Sequence, residues 1–165
     1  MQPRIGFSPG VCQFVNVDRA LNTMVELAIS QQLGWGMSQQ LMMAYTYGQD
    51  LSAMEALPEI APMDIRYSLT GSHFAESLHT AIRVRHLLAQ KRISESFGER
   101  FTLGFTLLDM DANYVISRQV SLKLGAQNLL NQRYYEYLNG PIGLDSVPLF
   151  ALGRNFFAMV SLMFP

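Results

Sequence analysis

The chain has 165 residues, 49% of them hydrophobic and only 15% charged, with 12 basic and 13 acidic side chains for a net charge of -1. No stretch approaches the roughly 18 consecutive apolar residues of a membrane helix, which excludes a helical membrane protein. Plentiful aliphatic and aromatic residues exclude a disordered chain, and the lack of a basic stripe excludes a nucleic-acid partner.

Period-2 alternation, the mark of strands with two different faces, runs through most of the sequence. From Val11 to Leu33 the odd positions are mainly aliphatic (Val15, Val17, Leu21, Val25, Leu27, Ile29), and the even ones small or polar (Asn16, Asp18, Asn22, Glu26, Ala28, Ser30). The phase persists through Asp18, which predicts one strand over 11–33, where soluble strands have about 5–6 residues. A turn at Gly34-Trp35-Gly36 follows, and then Leu41, Met43, Tyr45 and Tyr47 alternate with Gln40, Met42, Ala44 and Thr46. Beyond a loop over 49–63 holding Pro58 and Pro62, Ile65, Tyr67 and Leu69 alternate with Arg66, Ser68 and Thr70. A tight turn near Phe74 leads to Leu78, Thr80, Ile82 and Val84, interleaved with His79, Ala81, Arg83 and Arg85. After a loop over 92–100, Leu108, Met110, Ala112 and Tyr114 alternate with Asp109, Asp111 and Asn113. Ser117-Arg118-Gln119 turns the chain into Val120, Leu122 and Leu124, set against Ser121, Lys123 and Gly125. A long loop over 131–152 precedes a last strand with Phe156, Ala158, Val160, Leu162 and Phe164 on one face.

The pattern predicts an all-β antiparallel meander of about seven long strands. Short turns near 35, 75 and 118 alternate with the long loops, and this asymmetry is that of outer-membrane barrels. In lipid every backbone polar group must be paired internally, so only helices and closed barrels span. Tyr45, Tyr47 and Tyr67 toward the long-loop end, with Tyr114 and Phe164 toward the short-turn end, stand where aromatic girdles belong. A soluble barrel or sandwich also alternates, and a self-contained small outer-membrane barrel is a further reading. A soluble ligand-binding barrel needs the aliphatic face turned inward. The segment Met1–Gly10 has no apolar core of a secretory signal, which taken alone predicts a cytoplasmic protein.

Specific segments resemble a family. Gln127-Asn128-Leu129-Leu130 with Tyr134 resembles the N-L-F-x-x-x-Y signature of TonB-dependent outer-membrane receptors, and Gly153-Arg154-Asn155-Phe156 with Phe164 resembles the segment leading into their final strand. Phe14-Val15-Asn16 through Ala20 and Glu26, the proline loop Leu57–Pro62, and Phe97-Gly98-Glu99 with Phe105–Asp109 are similar to other segments of the family in the same order. Met24 stands where the family usually has Gly, Leu152 where Pro precedes Gly-Arg, and Pro165 follows the terminal Phe. The resemblance implies a C-terminal portion of a transmembrane barrel over 1–165, an open curved sheet when isolated, with the plug domain absent and a location in the Gram-negative outer membrane. It implies as partners outer-membrane lipid, the barrel-assembly machinery reading the C-terminal strand, and in a longer parent a plug and TonB. The parent would take up a scarce nutrient, such as an iron-siderophore or cobalamin, through an extracellular metal-chelate or vitamin ligand.

No catalytic constellation is visible, and an enzyme is not expected. Cys12 stands alone and no Cys/His spacing suggests zinc, so neither a metal site nor a cofactor is expected. The polar face offers a charged cluster of Arg83, Arg85, Asp109, Asp111 and Lys123, extended by His79. A hairpin centred near residue 97 places Arg85 opposite Asp109 and Arg83 opposite Asp111, while Lys123 faces Asn113 and lies diagonal to Asp111. Such a ladder either braces a wetted wall or lines a substrate path. Tyr134, Tyr135 and Tyr137 in the last long loop are candidates for contact with an extracellular ligand, or pack within the loop.

Overall fold

A computed structural model describes residues 18–140 and 147–164. Its strands are β1 (Ala20–Gly34), β2 (Met37–Asp50), β3 (Glu55–Ala56), β4 (Asp64–His73), β5 (Leu78–Leu87), β6 (Phe105–Ser117), β7 (Val120–Gln127) and β8 (Asn155–Leu162). They form one antiparallel sheet in the order β1-β2-β4-β5-β6-β7-β8, with the two-residue β3 hung on the end of β2. One 3-10 turn, Tyr137–Asn139, is the only helical element among the described residues. Among the described residues, no helix is long and apolar enough to cross a membrane.

The short connections are tight because their residues accept left-handed backbone. Gly34, Trp35 and Gly36 all have positive φ, and a side chain on Gly36 would collide with the Ser72 carbonyl. Phe74, Ala75 and Glu76 are also left-handed (φ 53°, 51° and 69°), a conformation that costs roughly 1–2 kcal/mol per residue. The pairing of β4 and β5 over ten residues on each side offsets that strain. At the third turn, Gln119 donates its N–H to Ser117 Oγ (3.2 Å) and accepts one from Met163 (2.8 Å), tying the chain end to the turn.

Residues directly opposite in a ladder share a face, so the register sorts the sheet into two surfaces. One row reads Ile29, Leu41, Tyr67, Val84, Leu108, and the next reads Gln31, Gln39, Leu69, Ile82, Met110, Ala126, Phe156, with the two glutamines bonded to each other near the short-turn end. The opposite surface carries Ser30, Gln40, Ser68, Arg83, Asp109 in one row, and Met42, Arg66, Arg85 in the next. The sheet lies uncovered on its aliphatic side: Val25 is 63% exposed, Leu124 51% and Phe156 69%. No large side chain among the described residues is fully buried. The compact spot is small and lies at the long-loop end, where Tyr134 packs on Leu87, Phe105 and Leu107.

β1 and β8 are edges, each paired on one side only, so the described strands form an open sheet. A soluble ligand-binding barrel would enclose the aliphatic face, and here that face is open.

Several expectations are corrected in detail. The first strand starts at Ala20, because the chain bends at Asp18 and Arg19; the expected 11–17 part lies outside the described residues, as do Cys12, Phe14, Asn16 and Pro165. The connection between β5 and β6 spans 88–104 rather than 92–100. The hairpin is centred on residue 96 rather than 97, which shifts the expected pairing by two residues. Arg83 stands opposite Asp109, and Arg85 opposite Leu107. A slip of two keeps every side chain on its face, so the two-sided pattern survives while the cross-strand partners change. The expected pairing of Lys123 with Asn113 is the one observed.

Candidate functional site

The charged groups of the polar face come from alternate positions of four adjacent strands: Asp64 and Arg66 on β4, Arg83 and Arg85 on β5, Asp109 and Asp111 on β6, and Lys123 on β7. They form two groups. Near the long-loop end, Asp64 accepts from Arg66 (2.8 Å) and Arg85 (3.0 Å). Arg85 also reaches out of the sheet, with Nη1 on Glu136 Oε1 at 2.5 Å and Nη2 on Oε2 at 3.2 Å. Lower on the wall Asp111 is shared between Arg83 and Lys123, the latter at 3.5 Å.

Of the residues singled out in the sequence, Arg83, Asp111 and Lys123 are therefore brought together. Arg85 and Asp109 share a face without pairing; Asp109 instead accepts the backbone N–H of Asn128 at 2.8 Å. His79 stands apart near the short-turn end, beside the Ser72 hydroxyl (3.4 Å). Six residues of strand separate it from Arg85, roughly 20 Å. The sequence reading missed Asp64, Arg66 and Glu136. The first two were visible as polar residues in phase with Ser68, whereas nothing local marks Glu136.

Between these groups lies an open groove of about 390 Å³, lined by Gln40, Arg66, Ser68, Arg83, Arg85 and Asp109 among others. Met42, Tyr67 and Val84 complete its lining, so charged and hydroxyl groups sit there beside apolar side chains; the Arg66 side chain is 58% exposed.

From the described part of the 128–154 loop, Glu136 reaches the upper end of this trough, and the family-like residues build the loop's base. Asn128 is buried (4% exposed) and left-handed (φ 49°). Its Nδ2 donates to the carbonyls of Gln132 (2.9 Å) and Leu152 (3.2 Å), and its Oδ1 accepts the Gln132 N–H (2.8 Å). The Leu129 N–H meets the Leu108 carbonyl at 2.8 Å, and the Arg154 N–H, next to Gly153, meets Asn131 Oδ1 at 3.0 Å. One asparagine thus joins the start of the loop to its return, delivering Asn155 opposite Gln127 and Phe156 onto the aliphatic face. Phe164 lies exposed just past β8.

The three loop tyrosines each have a protein partner. Tyr134 stacks on Phe105 with ring centroids 4.3 Å apart, Tyr135 meets Phe150 edge-on at 5.5 Å, and the Tyr137 hydroxyl donates to the Glu59 carbonyl at 2.7 Å. Burial pushes the Tyr137 hydroxyl up from its ordinary value, and nearby Glu59 and Glu99 add to the shift. Tyr134 is likewise raised, first by burial and then by Glu136. Both phenols stay neutral near pH 7 and act as packing and donor groups. Among the described residues, no group of three or more His, Cys, Asp or Glu side chains is placed to hold a metal ion.

No protein-family model matches the chain, and no curated protein does. Among solved structures, the copper transporter OprC is similar, with a TM-score of 0.78 and 27% identity over 88% of this chain. The chain spans 24% of that structure's length. With the two-faced sheet, this likeness supports an outer-membrane transporter-like β-fold.

Proposed function

We propose that this sheet is part of the wall of an outer-membrane barrel that takes up a scarce nutrient, in the manner of the TonB-dependent receptors its motifs resemble. The observation that carries the reading is the partition of one open sheet into a largely aliphatic surface and a charged, hydroxyl- and amide-bearing one. An apolar area of this extent calls for a lipid or protein cover, and the ten-residue strands β4 and β5 match the roughly 9–11 residues of a membrane-crossing strand. Aromatic residues at both ends add to it. The likeness to a copper transporter favours a metal ion or metal chelate as cargo over a purely organic nutrient. A plug domain and TonB would be supplied by a longer parent, and the barrel-assembly machinery would read the strand ending at Phe164. The role assigned is transport rather than catalysis.

The test has two arms. The chain, expressed with its upstream reading frame and an epitope in the 128–154 loop, should fractionate with the outer membrane and be labelled on intact cells. Deletion strains should then grow poorly on one limiting source among copper, iron chelates and cobalamin. Recovery of the tagged protein in the soluble fraction would overturn the reading.

A further inference from the structure

Resting on the reading of the polar face as the lumen wall, we propose that Arg66 and Arg85 form a seat for an anionic ligand carrying several carboxylates, and that the Glu136 carboxylate is its built-in occupant. Arg66 and Arg85 stand directly opposite each other on β4 and β5. Like charges so placed destabilise a sheet. On the wall itself one carboxylate, Asp64, serves both guanidiniums.

The remaining need of Arg85 is met from 51 residues away in sequence, by both oxygens of Glu136. This is the fork geometry in which arginine takes a planar carboxylate. Glu136 therefore sits as a carboxylate ligand would sit, but it is tethered to a loop. The other acidic groups of the trough are engaged elsewhere: Asp111 with Arg83 and Lys123, Asp109 with the Asn128 N–H. Arg66 keeps much of its guanidinium exposed, next to Ser68 and Gln40 in the groove. An incoming polycarboxylate can meet Arg66 first and then displace Glu136 from Arg85.

Displacement has a structural consequence. Glu136 immediately precedes the 3-10 turn at Tyr137–Asn139, so its release removes one of the ties that hold this loop over the trough. Near it the Tyr134–Phe105 stack and the Tyr137–Glu59 bond remain, as do the bonds of Asn128 and Leu129 at the loop's base. Ligand binding and loop release are then coupled, each favouring the other.

The test is binding of tricarballylate, a flexible tricarboxylate, to the protein expressed with its upstream reading frame and purified in detergent micelles, with its uncharged triamide as control. Removing the competing carboxylate in Glu136→Gln should tighten tricarballylate binding by about 3–10-fold, while Arg66→Gln and Arg85→Gln weaken it at least as much. Hydrogen exchange over 134–140 should quicken when tricarballylate is added to the wild type, and should already be fast in Glu136→Gln. Equal affinity of wild type and Glu136→Gln, or of wild type and Arg66→Gln, would overturn the proposal. If Arg85→Gln does not fold, the other two variants decide, because Arg66 is largely exposed and Glu136 lies on a loop. The measurement needs no cells, so its failure leaves the transporter reading standing, and loss of that reading in fractionation leaves the binding result intact.

Discussion

The carboxylate of Asp109 on β6 accepts the backbone N–H of Asn128 at 2.8 Å, and this bond fastens the base of the 128–154 loop to the wall. Asn128 is also the hub of that loop's own closure, holding Gln132 and Leu152 through its amide. Asn128→Ala removes three hydrogen bonds and leaves an ordinary side chain in left-handed backbone. It should destabilise the protein by about 2–4 kcal/mol in urea unfolding in micelles. Asp109→Ala should cost about 1–2 kcal/mol by orphaning one N–H, and Asp109→Asn, which keeps an acceptor, under about 0.5 kcal/mol. Equal effects of the alanine and asparagine variants at 109 would remove this role from Asp109.

Gly125 on β7 lies beneath the ring of Phe157 on β8, directly opposite it in the ladder. A side chain at 125 would occupy the space the ring fills. Gly125→Val should therefore tip Phe157 outward and loosen β8, at a cost of about 1–3 kcal/mol. Adding Phe157→Ala should restore part of the loss in a double-mutant cycle. Strict additivity of the two changes would show that the ring and the glycine are not coupled.

Ala28 and Ile29 are neighbours on β1 but stand on opposite faces, opposite Met42 and Leu41 respectively. In a lipid bilayer, Ile29→Arg should raise the folding free energy by about 2–4 kcal/mol and Ala28→Arg by less than about 1 kcal/mol. Reversible folding into phospholipid vesicles measures both. The reverse order would mean that the polar face, and not the aliphatic one, meets lipid.

Glu55, in the two-residue strand β3, accepts the backbone N–H of Ser96 at 2.8 Å. Partial burial works to raise its carboxyl, but hydrogen bonds from Ser96, Glu95 and Ser94 together outweigh it and hold it below its ordinary value of 4.5. A carboxyl lowered in the folded state contributes stability that is present above 4.5 and is lost as the pH falls through the folded value. Protection of the Ser96 amide from exchange should accordingly fade in that acidic window in the wild type and not in Glu55→Gln. A pH-independent Ser96 amide in the wild type would sink this linkage.

The strands, their two faces and the alternation of short turns with long loops were legible in the sequence, since side chains alternate every second residue and a few residues reveal the phase. Val25 against Glu26, or Ile82 against Arg83, already says which surface each joins. The cross-strand partners were not legible. A shift of two residues leaves the alternation unchanged, so Arg85 opposite Asp109 and Arg85 opposite Leu107 look alike in the pattern. Only the course of the 88–104 connection separates them, and that depends on contacts such as the Gln90–Thr102 bridge within it.

The same division explains the site. Asn128 announced itself as part of a recognisable motif, yet its partner Asp109 had been assigned to Arg85. Glu136 carried no local signal, because a glutamate in a loop looks the same whether it faces water or a guanidinium. The sequence by itself determined a two-faced antiparallel wall, because that property is local to each strand. Which charges meet on the wall, and that a loop carboxylate reaches down to Arg85, only the tertiary structure decided, because both depend on register and loop closure between residues far apart in the chain.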